Sequence, residues 1–187
     1  MRVAMQGSEP DDEQLVLRAR HGDAQAFRLL VQRYQPGAVA FGIRYLGDPA
    51  RARDAAQDAF VDLYFALARY QPRGRFAAYW HRLLVNRCRM GARADRSRDK
   101  LHDDVATLRV VHAPSPEDAF VAREDQLALQ AGMARLSEKL RVVVALRFGA
   151  GLPLQEIADT LELPLGTVKS RVFAGLAELR AAVKETP

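Results

Sequence analysis

The chain has 187 residues, 49% of them hydrophobic and 27% charged, with a formal net charge of +5. That is enough to bury a core in one domain or two small ones, and a basic balance of this size suits a polyanion, an acidic protein or a membrane surface. A single cysteine (Cys88) excludes an internal disulfide, and the four scattered histidines argue against a zinc site.

Taken in chain order, the apolar spacing is helical almost throughout. The acidic start at Asp11, Asp12 and Glu13 is unlike a signal peptide, and no apolar run approaches the ~20 residues of a bilayer span, which points to the cytoplasm and to no membrane insertion. Asp11–Arg20 carries Leu15, Val16 and Ala19 on one face. Gly22-Asp23 stops that helix and caps the next, which carries Ala26, Phe27, Leu30, Val31 and Tyr34. Pro36-Gly37 is expected to bend the chain before a further turn or two ending near Leu46.

Asp48-Pro49 restarts a helix, with aspartate as cap and proline in the first turn. Its apolar stripe is Ala52, Ala56, Ala59, Phe60, Leu63 and Leu67. On another face Asp54, Asp58 and Asp62 recur every fourth residue, with Gln57 beside them. Each step of four advances ~40° around a helix, so the carboxylates share a face. A solvated surface is the plain reading and a docking site for a basic partner the sharper one. Nothing near them supplies a nucleophile, a histidine pair or a phosphate loop, so a catalytic role is unsupported.

Gln71-Pro72-Arg73-Gly74 ends that helix, and the next runs from Phe76 to about Arg96. Between Arg73 and Lys100 stand nine Arg or Lys and two Asp, a net of +7 that exceeds the charge of the whole chain. Such a one-sided run favours nucleic acid. Phe76, Tyr79, Trp80 and Leu83 have the spacing of core residues, whereas Tyr70 lies at the mouth of the loop. Residues 97–115 lack a clean period and read as a linker. Ser115-Pro116-Glu117 opens a helix to about Arg135, followed by Ser137–Phe148, Leu154–Leu161 and Leu165–Lys184.

The last two segments have the logic of a helix-turn-helix. Ile157, Leu161, Leu163, Val168 and Val172 would lock two short helices, with small Ala158 at their crossing and Pro164 and Gly166 at the turn. The second helix would enter a major groove, where Thr167, Lys169, Ser170 and Arg171 supply donors and positive charge. Glu162 stands at a turn position where glycine is common, because the backbone there favours positive φ. Glutamate costs roughly 1 kcal/mol in that conformation, so the turn is open to reshaping.

Together these segments resemble the extracytoplasmic-function (ECF) sigma factors of bacterial RNA polymerase. The matching strings are GDAQAFRLLVQRY, RDAAQDAFVDLYFAL and FAAYWHRLLVNRCRMGARADR in the N-terminal half, and LRVVVALRFGAGLPLQEIADTLELPLGTVKSRVFAGLAEL in the C-terminal half. The resemblance implies an all-α fold of two small helical domains: sigma-2 over residues 11–96 and sigma-4 over 116–187, joined by a flexible linker over 97–115, with a disordered tail over 1–10. It implies a promoter-specificity factor, without enzymatic activity, cofactor, metal or small-molecule substrate.

Asp54, Gln57, Asp58 and Asp62 would dock on the clamp helices of the largest subunit of core RNA polymerase, and the polymerase flap would be a further partner surface for the protein. Tyr70, Arg73, Arg75, Asn86, Arg87, Arg89 and Arg93 would bind the −10 element, Tyr70 and Asn86 helping to hold a flipped base. Thr167, Lys169, Ser170, Arg171 and Phe173 would read the −35 element. An anti-sigma factor is the expected regulator. The linker, with Asp103 and Asp104, would thread toward the polymerase active-site channel. Arg53 departs from the usual glutamate, Ala174 and Leu176 from frequent arginines, and Tyr79-Trp80 from the usual Trp-Leu. The competing reading is a stand-alone helix-turn-helix regulator, which leaves the acidic helix and the basic block unexplained.

Overall fold

The computed structural model describes residues 10–99 and 118–184. Most of the expected linker, the Ser115-Pro116 helix start and all but the last residue of the N-terminal tail lie outside them. Among the described residues the regular structure is entirely helical: α1 (Asp12–Arg20), α2 (Ala24–Leu46), α3 (Pro49–Ala66) with a short 3-10 turn (Leu67–Arg69), α4 (Phe76–Asp99), α5 (Asp118–Arg135), α6 (Glu138–Phe148), α7 (Leu154–Leu161) and α8 (Leu165–Lys184).

The predicted caps are in place. The Asp23 carboxylate accepts from the backbone N–H groups of Gln25 (2.9 Å) and Ala26 (3.0 Å). Asp48 does the same for Ala50 (2.7 Å) and Arg51 (3.1 Å), and Pro49 opens α3. These bonds satisfy N–H groups that a helix start otherwise leaves orphaned. The Ala26 bond is also the main reason the Asp23 carboxyl titrates below its ordinary range, with help from Arg18.

Two expectations need correction. Pro36 does not interrupt its segment, because α2 runs unbroken from Ala24 to Leu46 with the proline inside it. Proline removes one ladder bond, but Ala26 and Leu30 before it and Ala38, Phe41 and Tyr45 after it are buried in the same core, so the helix continues through it. At its other end α4 continues three residues past Arg96, to Asp99, into the stretch read as linker.

The N-terminal core is aromatic and tight. Trp80 is fully buried and stacks on Phe60 at 4.2 Å between centroids. Tyr34 packs edge-on against Phe76 and His81, and its hydroxyl donates to Asp12. Burial depresses the pKa of His81 to about 4, against the opposing effect of the hydrogen bond its Nδ1–H donates to the Ala77 carbonyl (2.8 Å). Burial likewise pushes the Cys88 thiol up to about 12, leaving it inert. At the α2–α3 crossing a Cβ on Gly42 would lie only 2.8 Å from the Ala52 Cβ, so the helices meet there through glycine.

The two halves also pack on each other, chiefly α4 on α7 and α2 on α5 and α6. A Cβ on Gly149, at the end of α6, would strike the Phe41 Cα at 2.8 Å and the Ala40 carbonyl at 2.9 Å. The Arg141 guanidinium lies over the Tyr45 ring, 5.2 Å from its centroid, and Arg89 pairs with Glu138 at 2.9 Å.

Candidate nucleic-acid interface

Helix α3 buries its alanine-rich stripe and presents Asp54, Gln57 and Asp58 to solvent. Its outer surface is not simply acidic. Val61 (48% exposed), Tyr64 (59%) and Phe65 (73%) continue along it, adding a large apolar area. Exposed aromatics beside carboxylates have the composition typical of interaction surfaces in general. Their i, i+3, i+4 spacing was visible in the sequence but hidden within a segment read for its buried stripe.

Asp62 behaves differently from the other carboxylates. It is half-buried and accepts both Nε–H and a terminal N–H of Arg87 on α4, while Asp58 stands 3.9 Å from the same guanidinium. A residue expected on the docking face and one expected on the DNA face therefore hold each other. This fork also raises the Arg87 pKa, the Asp62 hydrogen bond being the main cause.

The loop before α4 opens onto a broad cleft of about 1290 Å³, lined by Arg69, Arg73, Arg75 and Arg82 together with Phe65, Tyr70 and Tyr79. Guanidinium groups alternating with aromatic surfaces can follow a phosphate backbone and stack unpaired bases. Gly74 has a φ of +66, which lets the loop turn sharply between Arg73 and Arg75. Tyr70 is more enclosed than its place at the loop mouth suggests, being only 8% exposed. Its ring packs on Phe76 and Tyr79, its hydroxyl donates to Glu13 (3.0 Å) and its carbonyl accepts from Arg20 (3.4 Å). Burial and Glu13 raise its pKa well above the ordinary tyrosine value.

Asn86 is exposed but lines a different, smaller hollow of about 350 Å³ between α4 and the C-terminal half, shared with Arg89, Lys139 and Arg171. Tyr70 and Asn86, expected to act on one base, thus line separate hollows that meet at Arg82 and Glu162. Arg93 is exposed farther along α4. Arg82, which borders both hollows, was not singled out from the sequence.

In the C-terminal half, α7 and α8 cross as a helix-turn-helix. Ile157 and Val168 are fully buried, Ala158 nearly so, and Leu161, Leu163 and Val172 pack against them. The turn is not reshaped at Glu162, which takes the left-handed conformation itself at φ 54, ψ 45. Lys169 and Ser170 are exposed on the first turns of α8, although the Ser170 hydroxyl already donates to the Thr167 carbonyl (3.0 Å). Thr167 and Arg171 are half-buried, and Phe173 is 74% exposed.

Comparison with known proteins agrees with this layout. Residues 30–98 match the family described as Sigma-70 region 2, and residues 132–181 match Sigma-70, region 4. The chain is 33% identical over 174 residues to the RNA polymerase sigma-H factor of Pseudomonas aeruginosa, covering 89% of this chain and 90% of that one. It is 32% identical to the ECF RNA polymerase sigma-E factor of Escherichia coli, covering 87% and 88%. Against the ECF sigma factor SigW of Bacillus subtilis it is 29% identical, covering 91% and 95%. The fold matches CnrH, solved in complex with the cytosolic domain of CnrY, at a TM-score of 0.68 and 24% identity, covering 94% and 99%. It matches RpoE of Bartonella quintana, solved with the anti-sigma factor NepR, at 0.68 and 20%, covering 88% and 100%. An acidic-apolar helix, an arginine-lined cleft and a helix-turn-helix, in this order and with relatives aligned along nearly the whole chain, place it plainly: the protein belongs to the ECF family of RNA polymerase sigma factors, which direct promoter recognition and are not enzymes.

Proposed function

We propose that α3 docks on core RNA polymerase through Asp54, Gln57, Asp58 and Asp62, with Val61, Tyr64 and Phe65 as its apolar part. The partner surface is the clamp helices of the largest subunit, and sigma-4 meets the flap. Arg73, Arg75, Arg87, Arg89 and Arg93 hold the −10 element as it melts, and Tyr70 with Asn86 secure a base drawn out of the stack. Thr167, Lys169, Ser170, Arg171 and Phe173 read the −35 element as duplex. Extrusion of a base costs a few kcal/mol, which the arginine-lined cleft repays in phosphate contacts.

The observation that carries this reading is the adjacency of the two surfaces. The acidic-apolar face is on α3 and the basic cleft begins at its C-terminal end, so a polymerase gripping α3 brings α4 and the preceding loop to the DNA. The protein acts in the cytoplasm, where polymerase and chromosome meet, and no described helix is long and apolar enough to cross a membrane. Two structural neighbours were solved with proteins that bind them, CnrY and the anti-sigma factor NepR, which supports an anti-sigma partner here. Run-off transcription with bacterial core polymerase tests the whole reading. Promoter-specific transcripts that depend on the protein support it, and strong binding to free DNA without any transcript refutes it.

A further inference from the structure

Arg82 shares one face of α4 with Tyr79 and Asn86, at intervals of three and four residues, and Arg75, just before the helix starts, stands four residues ahead of Tyr79. Its guanidinium reaches across to the helix-turn-helix. Nε–H donates to the Thr160 carbonyl (3.3 Å), a terminal N–H donates to the Asp159 carbonyl (3.2 Å), and the other terminal nitrogen pairs with Glu162 at 2.7 Å. The carbonyls belong to the last turn of α7, where the helix dipole is negative and attracts a cation. Arg82 and Glu162 both border the Tyr70 cleft and the Asn86 hollow. Their bridge is the partition between the two.

Glu162 holds its place at a cost, since it is the one non-glycine residue at positive φ among the described residues. Glycine would occupy that turn without strain. A strained side chain whose carboxylate serves the other half of the molecule points to a role for that contact.

We propose that Arg82 is a nucleic-acid-binding residue of the −10 groove, and that Glu162 latches it, dividing the groove until sigma-4 moves away. The proposal rests on the assignment of α4 to single-stranded promoter DNA. With the latch closed, a strand cannot reach Tyr70 and Asn86 together, because the bridge stands between them. A phosphate is a close chemical substitute for the Glu162 carboxylate as a partner for guanidinium, so DNA takes over Arg82 when the halves part. The bridging side chains are 43% and 73% exposed. An ion pair in such a setting is weak and readily exchanged, which suits a contact that opens in each initiation cycle.

The test uses the full-length chain with two substitutions. Glu162→Gly removes both the carboxylate and the strain, so it does not endanger the turn. Glu162→Gln removes the charge and keeps the shape. Binding of a fluorescent 12-nucleotide single strand, without polymerase, is read by anisotropy, and compactness by small-angle X-ray scattering. Both variants should bind the strand about two- to fivefold more tightly than the parent, the range set by a weak exposed pair, with little change in compactness, because the packing of α4 on α7 and of α2 on α5 and α6 remains. Arg82→Ala in the Glu162→Gly background should remove the gain. Unchanged affinity in both variants overturns the latch, provided that Arg75→Glu weakens binding by the parent. If Arg75→Glu has no effect, the groove assignment itself fails and the latch with it, so the two failures are told apart.

Discussion

Gly42 and Gly91 offer a controlled test of the helix packing. Both lie inside helices, α2 and α4, and both lack a side chain where alanine would favour the helix by about 1 kcal/mol. Around Gly91 a Cβ would meet nothing within 4 Å, so Gly91→Ala should realise that gain. At Gly42 the new Cβ would lie 2.8 Å from the Ala52 Cβ, 3.0 Å from its Cα and 3.3 Å from its carbonyl oxygen. Carbon atoms settle at about 3.5–4.0 Å, so the first contact is close by roughly 1 Å. No rotamer change relieves it, because these atoms are fixed to the α3 backbone. The helices would have to separate at the most extensively packed pair among those described, α2 and α3. Overpacking of this kind costs about 1–3 kcal/mol, which outweighs or cancels the propensity gain. The same chemical change should therefore differ by about 1–3 kcal/mol between the two sites. At 2–4 °C per kcal/mol for a chain of this size, that is a gap of roughly 2–12 °C in Tm. Urea titration of both variants should show the shift in midpoint with an unchanged slope. If Gly42→Ala stabilises the protein as much as Gly91→Ala does, the close crossing of α2 and α3 is wrong.

Three further outcomes are expected. His81 stays neutral when folded down to about pH 4, against an ordinary value of 6.5. The unfolded chain takes up the proton first, so stability falls as pH drops from 6.5 to 4, by about 3 kcal/mol from this group. His81→Phe should flatten that part of the pH–stability curve, and a curve parallel to the parent's would refute the buried neutral ring. Asp58→Arg, at an exposed position on α3, should leave the thermal midpoint within about 2 °C but abolish co-purification with core polymerase. Retained co-purification would remove Asp58 from the docking face. Asn86→Ala should reduce permanganate reactivity of the melted promoter more than it reduces closed-complex formation by gel shift, and an equal loss in both assays would take the flipped base away from Asn86.

The sequence and the structure agree best where short-range chemistry decides the outcome. Asp23 and Asp48 announce helix starts because an aspartate side chain can satisfy N–H groups two or three residues on, whatever lies farther away. Trp80 and Phe76 read as core by spacing and are buried. Pro36 misleads because its local effect is overruled by burial on both sides, a tertiary matter. The roles of Asp62 and Arg87 are hidden for the same reason, since 25 residues separate partners that meet only once α3 and α4 are packed. Glu162 is flagged by local rules as costly, but the residue that compensates it, Arg82, lies 80 positions earlier and carries no motif of its own. Exposed Val61, Tyr64 and Phe65 are missed because a sequence scan for apolar stripes assigns large hydrophobics to the inside.

The Asp62–Arg87 fork has a consequence for how this protein's promoter preference can diverge. If Arg87 contacts DNA and α3 grips polymerase as proposed, replacing Arg87 strands a half-buried carboxylate on the docking helix, and replacing Asp62 frees a cation beside the DNA. The two positions are thermodynamically coupled, so their effects on enzyme affinity and on promoter choice should not add. Sequence drift at either one is then tolerated chiefly in company with the other, and engineered promoter selectivity is more safely sought at exposed Arg73 or Arg75 in the loop before α4.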